Sequence, residues 1–336
     1  MKAMLLGEIN PLANNPKPLS FEEVPEPKPK VGDVLIRVSA CGVCHTELDE
    51  IEGRTPPSEL PRVLGHQVVG VIEQGQDKGQ RVGVAWIASA CGHCEFCLAG
   101  NENLCGEFRA TGRDADGGYA EYMTARADFV HPIPESISDE EAAPLLCAGA
   151  VGYRALKLTD LKDGQALALM GFGGSNHLVL KMAKRRYPNS DIFVFSRNAD
   201  EREFARSLGA AWAGAINESP PRHLNAVIDT TPVWSPITEA LRHLVPGGRL
   251  VVNGIRKEEA DKEALMKLDY ASQLWMEKEI KSVANVTRQD VREFLSLAAE
   301  AGLKPEFQEY DLKDANAALL EMKQGKIRGA KVLKLR

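Results

Sequence analysis

Four cysteines, Cys91, Cys94, Cys97 and Cys105, are spaced by two, two and seven intervening residues. Thiolates this close in sequence can close a tetrahedral shell around zinc, and a shell of four sulfurs leaves no position open for chemistry, so the segment predicts a structural metal. An iron–sulfur cluster is the rival on the same ligands; the wide last gap and the lack of a following proline weigh against it. His93, inside the cluster, is then a spacer facing solvent. Cys41, Cys44 and Cys147 remain. A metal that does chemistry needs three protein ligands and an open position for a substrate oxygen, and spacing alone does not choose those three. A redox pair Cys41-x-x-Cys44 lacks a thioredoxin-like setting.

A second chemical feature is Gly171-Phe172-Gly173-Gly174-Ser175-Asn176, which follows an apolar run and opens a helical pattern. In that context a glycine-rich turn brings backbone N–H groups and a helix N-terminus onto a pyrophosphate. The third glycine of the fingerprint is Asn176 here. The end of the next strand decides the nucleotide, because an acid there binds the ribose hydroxyls of NAD and a basic residue accommodates the extra phosphate of NADP. The chain has Phe195-Ser196-Arg197, with Asp191 too far back, so Ser196 and Arg197 predict NADP(H). In the rival reading Arg197 is a solvated turn residue and Asp200 or Glu201 meets the ribose.

The elements that must position these groups change character along the chain. Up to about residue 129 the sequence is rich in Val, Pro and Gly, with short alternating runs such as Val34–Val38 and Gln67–Ile72, which reads as irregular β structure. Pro25–Pro29 reads as a rigid surface loop. From about Gly149, strand-length apolar runs alternate with helical periods, the signature of βαβ units on a parallel sheet. Gln165–Met170, Asp191–Phe195, Ala226–Asp229 and Arg249–Asn253 read as strands; Ser175–Tyr187, Asp200–Leu208 and Pro236–Leu244 read as helices. Asp200 and Glu203 resemble a capping box, and Gly209 a helix stop. A further helix is expected over Asp290–Ala301 and a last strand over Ala330–Leu335.

At 336 residues, the chain has room for two domains of ordinary size. Its 41 basic and 47 acidic residues give a net charge of -6, which offers no general attraction to nucleic acid or an anionic membrane. No stretch has the length of a spanning helix and no secretory signal is apparent, so a cytoplasmic protein is expected.

Gly42-Val43-Cys44-His45-Thr46-Glu47, Gly65-His66, the four-cysteine lobe and Leu146-Cys147-Ala148-Gly149 together resemble the zinc-dependent alcohol dehydrogenases of the medium-chain dehydrogenase/reductase superfamily. The resemblance runs through nearly the whole chain in family order. It implies two zinc ions per chain, one structural on the four cysteines and one catalytic on Cys44, His66 and Cys147. Cys41 is then a bystander, with Cys41 in place of Cys44 as the alternative. Glu47 matches the acid that orients a zinc-bound imidazole. Gln67 stands where the family usually has Glu, which removes a negative charge behind the metal.

The resemblance also places His45 near the cofactor phosphates and the backbone around Asn253 beside the nicotinamide. It leads one to look for a basic residue near the C-terminus, where Arg328 and Lys331 flank Ala330. Thr46 matches the hydroxyl that takes the substrate proton. Asp49 occupies the place of a relay histidine, so the proton leaves through Asp49, His45 or water. Trp86, otherwise readable as a core residue, matches a bulky pocket position and favours primary alcohols or aldehydes. His131, His177, His223 and His243 lack partners at ligand spacing and read as surface or packing residues.

The implied architecture is α/β: a GroES-like β-rich catalytic domain over 1–149 and 288–336, and a doubly wound Rossmann domain over 150–287, with substrate and cofactor meeting in a cleft. The implied activity is reversible oxidation of an alcohol to an aldehyde or ketone with hydride passing to NAD(P), in a dimer or tetramer. A polyol, threonine or other secondary-alcohol dehydrogenase is the alternative. A non-catalytic nucleotide-binding redox sensor with structural zinc is the alternative of another class.

Overall fold

A computed structural model describes residues 1–325 and 329–335. The chain divides into two compact units, Met1–Ala150 with Val286–Arg336, and Val151–Asn285.

In chain order the first stretch contains β1 (Lys2–Leu6), β2 (Leu19–Glu23), β3 (Asp33–Val43), α1 (His45–Ile51), β4 (Arg62–Val63), β5 (Val68–Gln74), β6 (Arg81–Val84), β7 (Ile87–Ser89), α2 (Glu95–Leu98), β8 (Arg109–Ala110), β9 (Tyr122–Arg126), β10 (Val130–Pro132) and α3 (Asp139–Pro144). The second unit brings α4 (Ala150–Leu158), β11 (Ala166–Met170), α5 (Asn176–Arg186), β12 (Asp191–Phe195), α6 (Ala199–Ser207), β13 (Trp212–Gly214), β14 (Leu224–Asp229), α7 (Ser235–His243), β15 (Leu244–Val252) and β16 (Glu279–Ser282). The chain then returns to the first unit with α8 (Arg288–Glu300), β17 (Phe307–Asp311), α9 (Ala315–Lys323) and β18 (Ala330–Lys334).

The first unit is built around β3, whose β-branched and apolar residues are nearly all buried. It pairs antiparallel with β5, β9 and β18 in a sheet of order β10-β6-β5-β3-β18-β17. A smaller sheet, β2-β1-β4, closes the other side of the core, where Met4, Leu6, Ile36, Leu48 and Ile51 pack together. The second unit is a parallel sheet of order β13-β12-β11-β14-β15-β16. Its central strand β11, Ala-Leu-Ala-Leu-Met, is buried along its whole length, as a strand covered on both faces must be. The strand order reverses between β11 and β14, which is where ligands bind in such sheets.

Local details differ from the sequence reading. The capping box at Asp200 and Glu203 does not form; Asn198 caps α6 instead, its side-chain oxygen accepting the Asp200 N–H at 2.8 Å. Gly209 follows the helix at φ +90°, its N–H donating to the Arg206 carbonyl at 2.9 Å. α8 starts two residues before Asp290, because Thr287 is the cap: its hydroxyl accepts the Asp290 N–H at 3.1 Å, and the Asp290 carboxylate accepts the Thr287 N–H at 3.0 Å. β13 and β16 lie beyond the four strands read from apolar runs. No helix among the described residues is long and apolar enough to cross a membrane.

Candidate active site

Cys44 is the extended residue between the end of β3 and the start of α1. The third helical residue, Glu47, folds back so that one carboxylate oxygen accepts the Cys44 N–H at 2.8 Å and the other lies 2.6 Å from His66 Nδ1. One carboxylate thereby fixes the helix start and the imidazole together. His66 follows Gly65, which holds φ +98° and where a side chain would collide with the Tyr119 ring. Cys147 lies in a π-helical turn, Leu145–Gly149, between α3 and α4. Turns of this kind recur at functional sites.

Cys44, His66 and Cys147 each bring one ligand atom within 4.8 Å of the others. His66 Nε2 is buried without a hydrogen-bond partner, a condition that native sites resolve by binding something. Contact with Cys147 holds the Cys44 thiol pKa well below its ordinary value and pushes the Cys147 thiol well above, so the two sulfurs compete for one proton. Burial opposes charge on His66, yet the Glu47 carboxylate and Cys44 raise its pKa well above the usual value. Two sulfurs, an imidazole nitrogen and a carboxylate behind it form a donor set that fits zinc with one position left over. Cys41 is outside the group; it is buried beside Gly118, and burial pushes its thiol well up. Gln67 is buried over Gly42, where an added Cβ would come within 2.5 Å of its side-chain oxygen.

Thr46 Oγ1 lies 3.6 Å from Cys44 Sγ. The Asp49 carboxylate is buried, and its Oδ1 accepts Arg54 Nε at 2.5 Å. His45, one residue from the ligand, is exposed. Trp86 is half-buried; its ring lies 4.8 Å from Phe108 and beneath the Arg113 guanidinium at 5.5 Å. Sequence reasoning missed Glu50, buried on α1 with neither carboxyl oxygen paired. The available signal was its place three residues after Glu47, on the same helical face.

The four-cysteine lobe gathers its sulfurs within 4.8 Å. Backbone N–H groups of Cys91 and Glu107 donate to Cys105 Sγ at 3.5 and 3.4 Å, and that of Cys94 to Cys91 Sγ at 3.4 Å. N–H groups of His93 and Cys94 lower the Cys91 thiol to about 6, while burial and the neighbouring sulfurs raise Cys97 to about 12. His93 is exposed, though with Cys91 and Glu107 it forms a second group of ligand type. Buried Glu102 anchors the lobe, accepting the Arg288 backbone N–H at 2.9 Å and its Nε at 3.0 Å.

In the second unit the glycine-rich turn joins β11 to α5. Gly171 holds φ +77°, and nothing lies within 4 Å of where a Gly173 side chain would point, which leaves that backbone open to a ligand. Gly174 completes the turn. Asn176 Nδ2 donates to the Met170 and Gly171 carbonyls at 3.1 and 2.8 Å and to Thr230 Oγ1 at 3.1 Å. Asn253 follows β15 and donates from Nδ2 to Ser175 Oγ at 3.3 Å. Lys257, inserted below, pairs with buried Asp229 and donates to the Thr231 and Val233 carbonyls at 2.8 and 2.9 Å.

At the end of β12, Ser196 is buried and its hydroxyl donates to Glu201 at 2.5 Å, while Arg202 donates to its carbonyl at 2.7 Å. Arg197 is exposed. Lys331 is buried in the first unit on Glu321 at 2.7 Å and Tyr310 Oη at 2.6 Å, and Arg328 lies outside the described residues.

Two family models match the chain: the alcohol dehydrogenase GroES-like domain over residues 30–135 and the zinc-binding dehydrogenase over residues 191–333. A probable alcohol dehydrogenase AdhA of Mycobacterium tuberculosis is 40% identical, covering 99% of this chain and 97% of the relative. An alcohol dehydrogenase of Geobacillus stearothermophilus is 37% identical over 95% of this chain and 97% of its own. The solved alcohol dehydrogenase of Aeropyrum pernix superposes with a TM-score of 0.85 at 27% identity, covering 100% of both chains.

Proposed function

The chain belongs to the zinc-type alcohol dehydrogenases of the medium-chain dehydrogenase/reductase superfamily, and we propose that it interconverts an alcohol with its aldehyde or ketone on a catalytic zinc held by Cys44, His66 and Cys147, with NADP(H) preferred. It is an oxidoreductase acting on small-molecule alcohols, with zinc and a nicotinamide nucleotide as cofactors. The observation that carries the fuller reading is the convergence of two sulfurs and His66 Nε2 from three separate segments, with Glu47 on the far nitrogen of the ring.

When bound, zinc supplies Lewis acidity toward the substrate oxygen, and the nicotinamide accepts or returns the hydride. The chain's own residues supply the rest. Glu47 accepts the His66 Nδ1 proton, which fixes the tautomer and turns the Nε2 lone pair toward the sulfurs. Cys44 and Cys147 bring negative charge that neutralises a dication. Thr46, beside Cys44, takes the alcohol proton in oxidation and returns one in reduction. The proton leaves the Thr46 hydroxyl through Asp49, whose Oδ1 is paired with Arg54, through His45 or through water. Gly171, Gly173 and Gly174 bring backbone N–H groups to the pyrophosphate, and Asn253 beside Ser175 borders the nicotinamide. Arg197 faces solvent at the strand end, where a 2′-phosphate would lie; the Glu201 carboxylate on Ser196 is the opposing charge. Trp86 narrows the pocket toward primary alcohols. The four-cysteine lobe holds the second zinc.

Initial rates on a panel of alcohols and aldehydes, with NAD and NADP and before and after chelation, test the reading together with metal analysis. Expected are about two zinc per chain, activity lost on chelation, and higher kcat/KM with NADP. Cys44→Ser should abolish turnover while cofactor binding and the lobe zinc persist. Turnover retained in that variant removes the ligand assignment; one zinc per chain without turnover would favour the non-catalytic nucleotide sensor.

A further inference from the structure

Lys257 takes no part in the chemistry above. Its side chain is buried, and its ammonium pairs with the buried Asp229 carboxylate at the end of β14 and donates to the Thr231 and Val233 carbonyls at 2.8 and 2.9 Å. Three bonds occupy all three ammonium protons. Around this pair the residues that follow β15 are fastened to the loop that follows β14. The Glu258 N–H donates to the Pro232 carbonyl at 2.6 Å, Trp234 Nε1 donates to the Glu258 carbonyl at 3.0 Å, and the Asp261 carboxylate accepts the Trp234 and Ser235 N–H groups at 2.9 and 2.8 Å. The fastened loop lies directly against the nucleotide turn: a side chain on Gly171 would come within 3.1 Å of both Thr230 Oγ1 and Thr231 Cγ2. Asn253 is held from two sides, its N–H donating to the Asp229 carbonyl at 2.7 Å and its Nδ2 to Ser175 Oγ in the turn at 3.3 Å. Residues 253–256 therefore span from the turn to the lysine.

A buried ion pair adds little stability over apolar side chains of the same volume, and its best-attested use is to hold one arrangement against others. This pair stands where the strand order reverses between β11 and β14, the place at which such a sheet takes its ligand. We propose that Lys257 is the positioning residue for the nicotinamide half of the cofactor: by clamping residues 257–261 onto the loop after β14, it sets backbone 253–256 in its binding form before the nucleotide arrives. This rests on the nucleotide half of the reading above, in which the backbone around Asn253 borders the nicotinamide. Lys257 itself has no proton left to offer the cofactor. Its effect is preorganisation, since a ligand that meets an ordered surface does not bear the entropy of ordering it. The pyrophosphate side, carried by Gly171 and Gly173, is placed by β11 and α5 and does not depend on the clamp.

The test compares each dinucleotide with its nicotinamide-free counterpart, NADPH with 2′-phospho-ADP-ribose and NADH with ADP-ribose, by calorimetric titration of the full-length, zinc-loaded protein. Lys257→Met alone would leave the Asp229 carboxylate buried and unpaired, so the variant combines Lys257→Met with Asp229→Asn and removes both charges. In it, affinity for the dinucleotide that the parent binds more tightly should fall about tenfold, while affinity for the matching fragment stays within about twofold. A loss shared equally by dinucleotide and fragment overturns the proposal, because it marks a general loosening of the site; unchanged affinities overturn it too. A second measurement needs no variant. Hydrogen exchange in the nucleotide-free parent should find the N–H groups of Trp234, Ser235, Asn253 and Glu258 protected. Free exchange there, with protection gained only on adding nucleotide, overturns the clamp. A parent that binds neither NADPH nor NADH defeats the dehydrogenase reading itself, and the clamp with it; a parent that binds one of them, with the variant unaltered, removes the clamp alone.

Discussion

His66 and His131 are both buried in the first unit, and they are kept there by opposite means. His66 has the Glu47 carboxylate on Nδ1, so a positive charge at the ring is supported from behind. His131, on β10, has no hydrogen-bond partner at either nitrogen, and burial, with Arg292 and Arg288 nearby, lowers its pKa to about 3. It is therefore neutral in the folded chain while its unfolded counterpart, with an ordinary value of about 6.5, binds a proton. The sign follows directly: below about pH 6.5 the unfolded state holds the extra proton, so this residue's contribution is intact above that value and is lost as pH falls toward about 3. At pH 5 the loss is about 2 kcal/mol, from 1.36 kcal/mol per unit over about 1.5 units. Urea unfolding of the unmodified chain and of His131→Leu at pH 7 and pH 5 measures it. The variant should lose about 2 kcal/mol less than the parent over that interval; an equal loss in both chains would show that His131 takes no part.

The turn between β11 and α5 shows why a departure from a motif can be an element-scale solution. Glycine at the third position permits close helix-to-strand packing; Asn176 occupies that position and spends its amide on the carbonyls of Met170 and Gly171 and on Thr230, tying the ends of β11 and β14 to the helix start. Asn176→Ala should cost about 1–3 kcal/mol in urea unfolding, because two strand-end carbonyls lose a buried donor. It should also weaken cofactor binding in a fluorescence titration. Unchanged stability and affinity would mean the amide is dispensable. Such ties are not written in periodicity. The strand Asp191–Phe195 was legible because a continuous apolar run ends at polar residues on both sides. β13 was not, since three residues containing a Trp and a Gly carry no period, nor was β16, whose four residues are all exposed. The start of α8 was missed because its capping partner is Asp rather than Glu. The four cysteines of the lobe lie in one short segment, so spacing alone grouped them. Cys44, His66 and Cys147 sit on three distant segments that only the fold gathers, and family resemblance had to choose them. Glu50 escaped because helical spacing shows which residues share a face, not which face is sealed from water.

At the scale of the molecule, the parallel sheet of the second unit ends abruptly at β16. That strand pairs with β15 on one side, and all four of its residues are exposed. β16 itself carries Ile280 at 46% exposure, and the segment that leads into it carries Tyr270 at 59%, Trp275 at 55% and Met276 at 53%, large apolar side chains on a chain whose net charge of -6 otherwise favours solvation. Open strand edges invite pairing and are ordinarily blocked by charge, proline or a covering element. A second copy of the same strand, related by a two-fold axis, would present the same backbone groups in antiparallel register and bring the two exposed Ile280 side chains toward the axis, because a two-fold contact is self-complementary. A homodimer closed along β16 is therefore expected. In Ile280→Lys the axis would bring like charges together while the strand's pairing with β15 is left in place. Light scattering coupled to gel filtration should give twice the chain mass for the parent at micromolar concentration and the single-chain mass for the variant. Cofactor binding should survive in the variant, since the glycine-rich turn lies on β11, away from β16 in the strand order. A parent that runs as a monomer, or a variant that remains dimeric, would place the association elsewhere or nowhere on this edge.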